Sequence, residues 1–347
     1  MAVGRRSRAT VVLLTLFVLL VPSAVLGAAF GAEPLPVSTV VDALAARFTG
    51  TSVPRALDTI VWELRLPRTA LAAIVGSGLA LAGVAMQTLV RNPLADPYLL
   101  GVSSGAGVGA AAVLTSGVFV AAGVWALSAG ALIGALAAGA LVLLVTVAQG
   151  GPTPLRLVLT GTVLGSAFSS LSSYLVFRSS DPAAAQSVLF WLLGSLAGAD
   201  RTRLLLPAVT VLICGAALVA ASGRLDTLLL GHDSATSLGV PVRTLRLTLF
   251  VLLAVLVGVL VAVSGGIGFV GLVVPHVARI LVGPMHRTLL PTAALAGALL
   301  LIWVDIGTRV LARPSEIPVS VLTGLIGAPI FLVLMGRRNY RFGSTAG

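Results

Sequence analysis

An all-α, polytopic membrane fold with ten transmembrane helices is the class this sequence predicts, and three observations carry it. Hydrophobic residues make up 58% of the 347 and charged residues only 10%. The mean hydropathy, +1.10, lies far above that of water-soluble domains. Apolar runs of about twenty residues, the length that crosses a bilayer, succeed one another between Arg-bearing or Gly/Pro-rich turns.

The run Val11–Phe30, preceded by Arg5, Arg6 and Arg8, reads as the first span. Small residues at Ala24–Ala29 would suit a signal-peptide cleavage site, but the run is long for one. Residues 31–68 then lie outside the cell, with Val37–Phe48 a short amphipathic helix, and Ala70–Val90 is the second span. No charge occurs between Asp96 and Arg156, which leaves room for spans three and four and a turn near Ala122–Gly123. Leu155–Phe177 is the fifth span. Residues 178–203 form an extracytoplasmic connection whose helix, Ala183–Leu196, is too short to cross alone. Leu204–Ser222 is the sixth span, a polar loop at 223–246 follows, and Leu247–Val263, Ile267–Val282, Leu289–Val304 and Val319–Met335 complete ten. The whole of 1–347 reads as one transmembrane domain. Gly101, Gly105 and Gly109, Gly130 and Gly134, and Gly161 and Gly165 recur every fourth residue, a spacing that lets helices approach closely.

All 22 basic residues are Arg, and the net charge is +11. They are scattered between apolar runs rather than clustered with aromatics, which argues against nucleic acid. Topology accounts for them. Thirteen Arg fall on the side of the termini (5, 6, 8, 91, 156, 224, 243, 246, 279, 287, 337, 338 and 341), against nine on the other. The positive-inside rule places both termini and the loop at 223–246 in the cytoplasm. The one cysteine, Cys214, lies within a span and reads as packing.

Leu228–Arg246 is the polar stretch on which function turns. Asp233 suits an N-cap, Ser234–Leu238 one or two helical turns, and Gly239 with Pro241 a stop. Small residues Ser234, Ala235 and Ser237 beside one apolar knob, Leu238, suit insertion into a groove on another protein. No phosphate-binding G-x-x-x-x-G-K-[ST] loop is present, so ATP is not bound here by that route. Gly101–Gly105 matches G-x-S-x-G, but it opens a membrane helix and not a strand–turn–helix. An intramembrane hydrolase built on Ser103 and His276 is therefore a weak rival. No His/Cys/Glu cluster has metal-ligand spacing. Asp305 and Arg309, four apart, share a helix face and read as a helix-end ion pair or, in an ion-coupled carrier, a proton relay. Arg65-Leu66-Pro67-Arg68 heads span two from outside, with Arg309 at the same level. These three guanidinium groups could snorkel to the interface or dock an acidic protein surface.

Several stretches together carry a resemblance: Arg65–Arg68 with Gly83 and Gln87; Asn92-Pro93-Leu94-Ala95-Asp96-Pro97 with Leu100-Gly101; and Ala235 with Leu238-Gly239-Val240. Others are Gly268–Leu272 with Pro275, His276 and Arg279; Asp305 with Arg309; Glu316-Ile317-Pro318; and Gly327–Phe331. The sequence resembles the FecCD-type permeases of binding-protein-dependent ABC importers, which carry iron–siderophore complexes, haem or cobalamin, over nearly its whole length. Ser320 departs from the pattern, which often has Gly there.

The resemblance implies a BtuC-like type II ABC importer permease in the cell membrane, paired with a second copy or a paralogue around a pore. It implies two ATPase subunits that hold ATP-Mg, an extracytoplasmic substrate-binding protein, and no cofactor or catalysis in this chain. Asp233, Ser234, Ala235, Leu238 and Gly239 would form the ATPase-coupling helix, and Arg65, Arg68 and Arg309 would meet the binding protein. Gln87, Asn92, Pro93, Pro275, His276, Arg279, Asp305 and Glu316 carry the remaining family motifs, with structural or gating roles. A ferric siderophore is the expected cargo.

Overall fold

A computed structural model describes residues 2–336, and the side chains of 7–336 apart from Val120 and Met335. Arg337, Arg338 and Arg341, counted above as cytoplasmic, lie outside the described residues, as do the side chains of Arg5 and Arg6. Each of the ten expected spans falls on a helix over most of its length, and the described residues contain no strand. The helices in order are α1 (Ala2–Ala29), α2 (Val37–Thr49), α3 (Arg55–Asp58), α4 (Leu66–Val90), α5 (Val102–Ser116), α6 (Ala126–Ala148), α7 (Pro154–Arg178) and α8 (Pro182–Leu192). They continue with α9 (Arg201–Ala220), α10 (Ser222–Leu229), α11 (His232–Ser237), α12 (Val242–Ser264), α13 (Val270–Val282), α14 (His286–Val310) and α15 (Val319–Gly336). Seven helical stretches are long and apolar enough to cross a membrane, and four shorter apolar helices, α5, α8, α13 and α15, pack among them.

Helix α4 is the axis of the bundle, with nearly every side chain from Thr69 to Leu89 buried. Lipid is as apolar as leucine, so close packing rather than water exclusion must hold such helices together. The four-residue glycine spacing does this. A methyl group on Gly105 or Gly109 would strike the backbone of Gly134 or Gly130, so α5 and α6 touch main chain to main chain. Gly83 on α4 meets Gly271 on α13 in the same way. Helices α1, α7 and α9 are peripheral and leave Phe17, Val163 and Leu212 exposed.

Three expectations about boundaries need correction. The second span does not begin at Ala70: helix runs unbroken from Arg55 to Val90 through a π-helical turn at Thr59–Arg65, so the Arg65–Arg68 stretch lies inside it. Pro67 has no N–H to donate, and the wider turn just before it absorbs the missing bond. The eighth span starts later than Ile267, because Gly265 to Phe269 are not helical. Gly265 and Phe269 both take positive φ there, 67° each. The polar loop at 223–246 holds two helices, α10 and α11, where one was expected.

Candidate functional site: polar loop, ionic rim and a broken helix

At the end of the bundle bearing α10 and α11, Gly231 (φ 112°) precedes α11, so Asp233 lies inside its first turn rather than capping it. A carboxylate there still favours the positive end of the helix. The far end closes as expected: Gly239 is left-handed, its N–H donates to Thr236 O (2.9 Å), and the Val240 N–H donates to Ala235 O (3.0 Å). That pair of bonds is a Schellman closure, and it fixes the next residue's direction. Ala235 is fully buried against the chain's own core, whereas Ser234 is exposed and Leu238 is 62% exposed. The knob thus points outward.

A buried link, absent from the sequence reading, joins this loop to the bundle. Asp226 on α10 accepts from the His286 backbone N–H (3.0 Å) and contacts its Nδ1 (2.6 Å), while His286 Nε2 meets the Thr88 hydroxyl (2.7 Å). One imidazole therefore bridges α10, the first residue of α14 and the last turn of α4. Beyond α4, Asn92 accepts from the Leu94 N–H (2.9 Å), and Asp96 accepts from the Tyr98 N–H (2.8 Å). Asn92-Pro93 is thus an Asx turn, and Asp96 caps a 3-10 turn at Pro97–Leu100. Burial pushes the Asp96 carboxyl above its usual range, opposed in part by that Tyr98 N–H.

At the other end, the arginines expected at the exterior converge with two acids. Arg68 donates through Nε to Asp305 (2.8 Å) and through both terminal nitrogens to the two Glu316 oxygens (2.8 Å each). Arg309 lies 2.8 Å from the other Asp305 oxygen and donates to Phe30 O (2.5 Å). The helix-end pair read from spacing is there, enlarged to four residues. Among the described residues Arg65 donates to main-chain carbonyls alone, those of Ala28, Ala29 and Glu33. Nearby, the Arg47 guanidinium stacks 4.6 Å from the centroid of the Trp62 ring. Asp200 caps α9, and its carboxyl is held below the usual range chiefly by the Thr202 hydroxyl.

Between the two ends, the break at Gly265–Phe269 keeps its polar backbone paired, as irregular chain within a membrane must. The Tyr98 hydroxyl donates to Ile267 O (3.0 Å) and accepts from Ile267 N–H (2.9 Å). Ser320 Oγ donates to Gly266 O (2.6 Å) and accepts from Gly268 N–H (3.3 Å), while its own N–H donates to Leu193 O (3.1 Å). So Ser320 ties the break to the end of α8. Below it on α13, Arg279 donates to Gln87 Oε1 (2.5 Å), and Gln87 donates to Leu272 O (3.3 Å). His276, next to Pro275, is buried with its ring edge-on to Phe331. Ser103 lies against Gly266 inside a helical packing site, with no strand–turn–helix around it.

Comparison with known proteins decides what this architecture is. The FecCD transport family model matches residues 15–337. The chain belongs to the FecCD transport family. Among its relatives, the molybdate import system permease protein MolB of Haemophilus influenzae is 38% identical over 93% of this chain and 95% of its own. The cobalamin import system permease protein BtuC of Halobacterium salinarum is 39% identical over 90% of this chain and 82% of its own. The solved structure of a metal-chelate type ABC transporter in an inward-facing conformation superposes with a TM-score of 0.82 at 36% identity, covering 93% of this chain and 98% of that one. This FecCD chain is therefore an ABC importer permease and an integral membrane protein.

One face of this FecCD permease escaped the sequence reading. On α7, Thr162, Ser166, Ser169, Ser170 and Ser173 recur at helical spacing and are all exposed. Four of the hydroxyls fold back on the helix: Thr162 donates to Val158 O (2.8 Å), Ser166 to Thr162 O (3.1 Å), Ser170 to Ser166 O (3.0 Å) and Ser173 to Ser169 O (3.0 Å), while Ser169 Oγ reaches across to Ser104 Oγ on α5 (3.4 Å). The signal was available in the S-A-F-S-S-L-S-S run, whose period is that of a helix face.

Proposed function

We propose that this chain forms half of a translocation pore for a chelated metal, a ferric siderophore in the first instance, with the hydroxyl face of α7 along the path. That face carries the reading. A helix of bilayer length has no reason to turn five hydroxyl residues toward hydrocarbon, and a second permease across a hydrated gap would give them a polar setting. Hydroxyls already bonded, four to their own helix and Ser169 to Ser104, offer weak, diffuse contacts, which suit a bulky complex that must slide rather than bind.

In this reading the domain spans 1–347 with ten membrane crossings and both termini in the cytoplasm. Two ATPase subunits, each holding ATP-Mg, receive Asp233, Ser234, Leu238 and Gly239 in a groove, while Ala235 anchors the coupling helix to its own bundle. Closure of the ATPases moves α11, and the Asp226–His286–Thr88 link passes that movement to α4 and α14. An extracytoplasmic binding protein docks at the opposite rim. Arg65, which among the described residues bonds carbonyls and no carboxylate, can meet an acidic residue without giving up an ion pair, whereas Arg68 and Arg309 would have to exchange Glu316 or Asp305 for the partner's carboxylate. The relative named for cobalamin favours a second reading, in which the cargo is a corrinoid.

Uptake of labelled ferric siderophores, haem, cobalamin and molybdate, in cells lacking only this chain and restored with it, tests the assignment. Rescue of ferric siderophore uptake is expected. Rescue of cobalamin or molybdate alone would replace the cargo, and rescue of none would remove the chelate reading.

A further inference from the structure

Where α9 ends and α12 begins, the two helices part around a cavity of about 390 Å³. Its walls are small on one side, Ala217 and Ala220, with Arg224 one turn further on; Thr244 and Thr248 face them from α12. Arg224 is exposed, and no hydrogen bond or ion pair of its guanidinium group is present among the described residues. Arg243, also exposed, sits beside Thr244 on the first turn of α12. The carboxylate closest in sequence, Asp226, is committed to His286.

From these residues we infer that the α9–α12 groove binds one anionic phospholipid, its phosphodiester held by Arg224 with the Thr244 and Thr248 hydroxyls, its acyl chains running up the groove. The inference rests on the reading of this chain as a membrane protein. Depth chooses lipid over a soluble partner. Ala217 and Ala220 occupy the final turn of one bilayer-length helix, and Thr244 and Thr248 the first two turns of another, which is headgroup level. The stripe continues inward as Ile213 on α9 (64% exposed) and Val251 and Val255 on α12 (48% and 37%), at helical intervals from the cavity residues. Arginine pairs a phosphodiester in a planar fork, and hydroxyls supply further donors. Nothing in the groove offers negative charge to repel it.

The test uses the assembled transporter with its ATPase subunits in phosphatidylcholine nanodiscs containing phosphatidylglycerol, with retained lipid counted by native mass spectrometry. Wild type should retain phosphatidylglycerol over phosphatidylcholine. Arg224→Gln should lower phosphatidylglycerol retention about fivefold, the worth of one basic residue at a membrane surface, and leave phosphatidylcholine unchanged. Ala220→Trp, which fills the groove with Arg224 intact, should expel both, so a folding defect in one variant does not decide the matter. Equal phosphatidylglycerol retention by wild type and Arg224→Gln overturns the site. Displacement by glycerol 3-phosphate alone would make it a free-phosphate site and overturn the lipid. Failure of Arg224→Gln to hold its ATPase subunits, with phosphatidylglycerol still retained, would assign the groove to that partner instead.

Discussion

Arg68 holds two carboxylates at once, and both come from the far end of the chain, Asp305 on α14 and Glu316 in the loop before α15. Deleting one member of such a buried group strands the others' charge, so Arg68→Gln should cost about 3 kcal/mol. Thermal unfolding of the detergent-solubilised protein would read the loss. Arg68→Lys should recover only part of it, because an ammonium cannot fork onto both Glu316 oxygens. Leu238→Asp makes the opposite prediction. Its side chain touches water, so the protein should insert and melt as wild type, yet transport at matched membrane levels should fall to background. Normal transport would remove α11 from the coupling mechanism.

At the level of elements, the break before α13 is the feature on which a single hydroxyl has most leverage. Tyr98→Phe leaves the N–H and C=O of Ile267 unpaired, a loss of about 1–3 kcal/mol. Hydrogen exchange at Ile267 should quicken first, ahead of the neighbouring helices; uniform exchange would mean that Tyr98 merely packs. Seven helices of spanning length and the glycine contacts were legible in the sequence because each has a local pattern, about twenty apolar residues or four between glycines; α5, α13 and α15, read as full spans, are shorter. The break and the α10 helix were not. Gly265-Gly266 looks like one more pair in a glycine-rich chain, and what keeps it unwound is Tyr98 and Ser320, 169 and 54 residues away from the groups they bond. His286 and Asp226 meet across 60 residues with no shared motif. Ser320 shows the same limit: the sequence marked it as a departure from glycine, and only the fold gives it two backbone partners.

For the whole molecule, charge is divided between its two ends in ways composition alone could not weigh. The rim arginines read as one docking set differ in what they already hold. Arg65→Glu should therefore weaken binding-protein affinity without loss of stability beyond its carbonyl contacts, and more at low than at high salt, since Arg65 is half-exposed and salt screens charge that solvent reaches. Titration of the binding protein at two ionic strengths would show it, and unchanged affinity at both would take Arg65 out of the interface. Reversing Arg68 in the same experiment would confuse docking with the collapse of the ionic cluster.

The hydroxyl face of α7 has one more consequence, for the life of the chain before assembly. If that face lines the proposed pore, a newly inserted copy without its partner turns it to lipid, and hydroxyls facing hydrocarbon would mark the subunit as unfinished to membrane quality-control proteases. The amount of this chain in a cell should then follow the supply of its partner permease more closely than its own rate of synthesis.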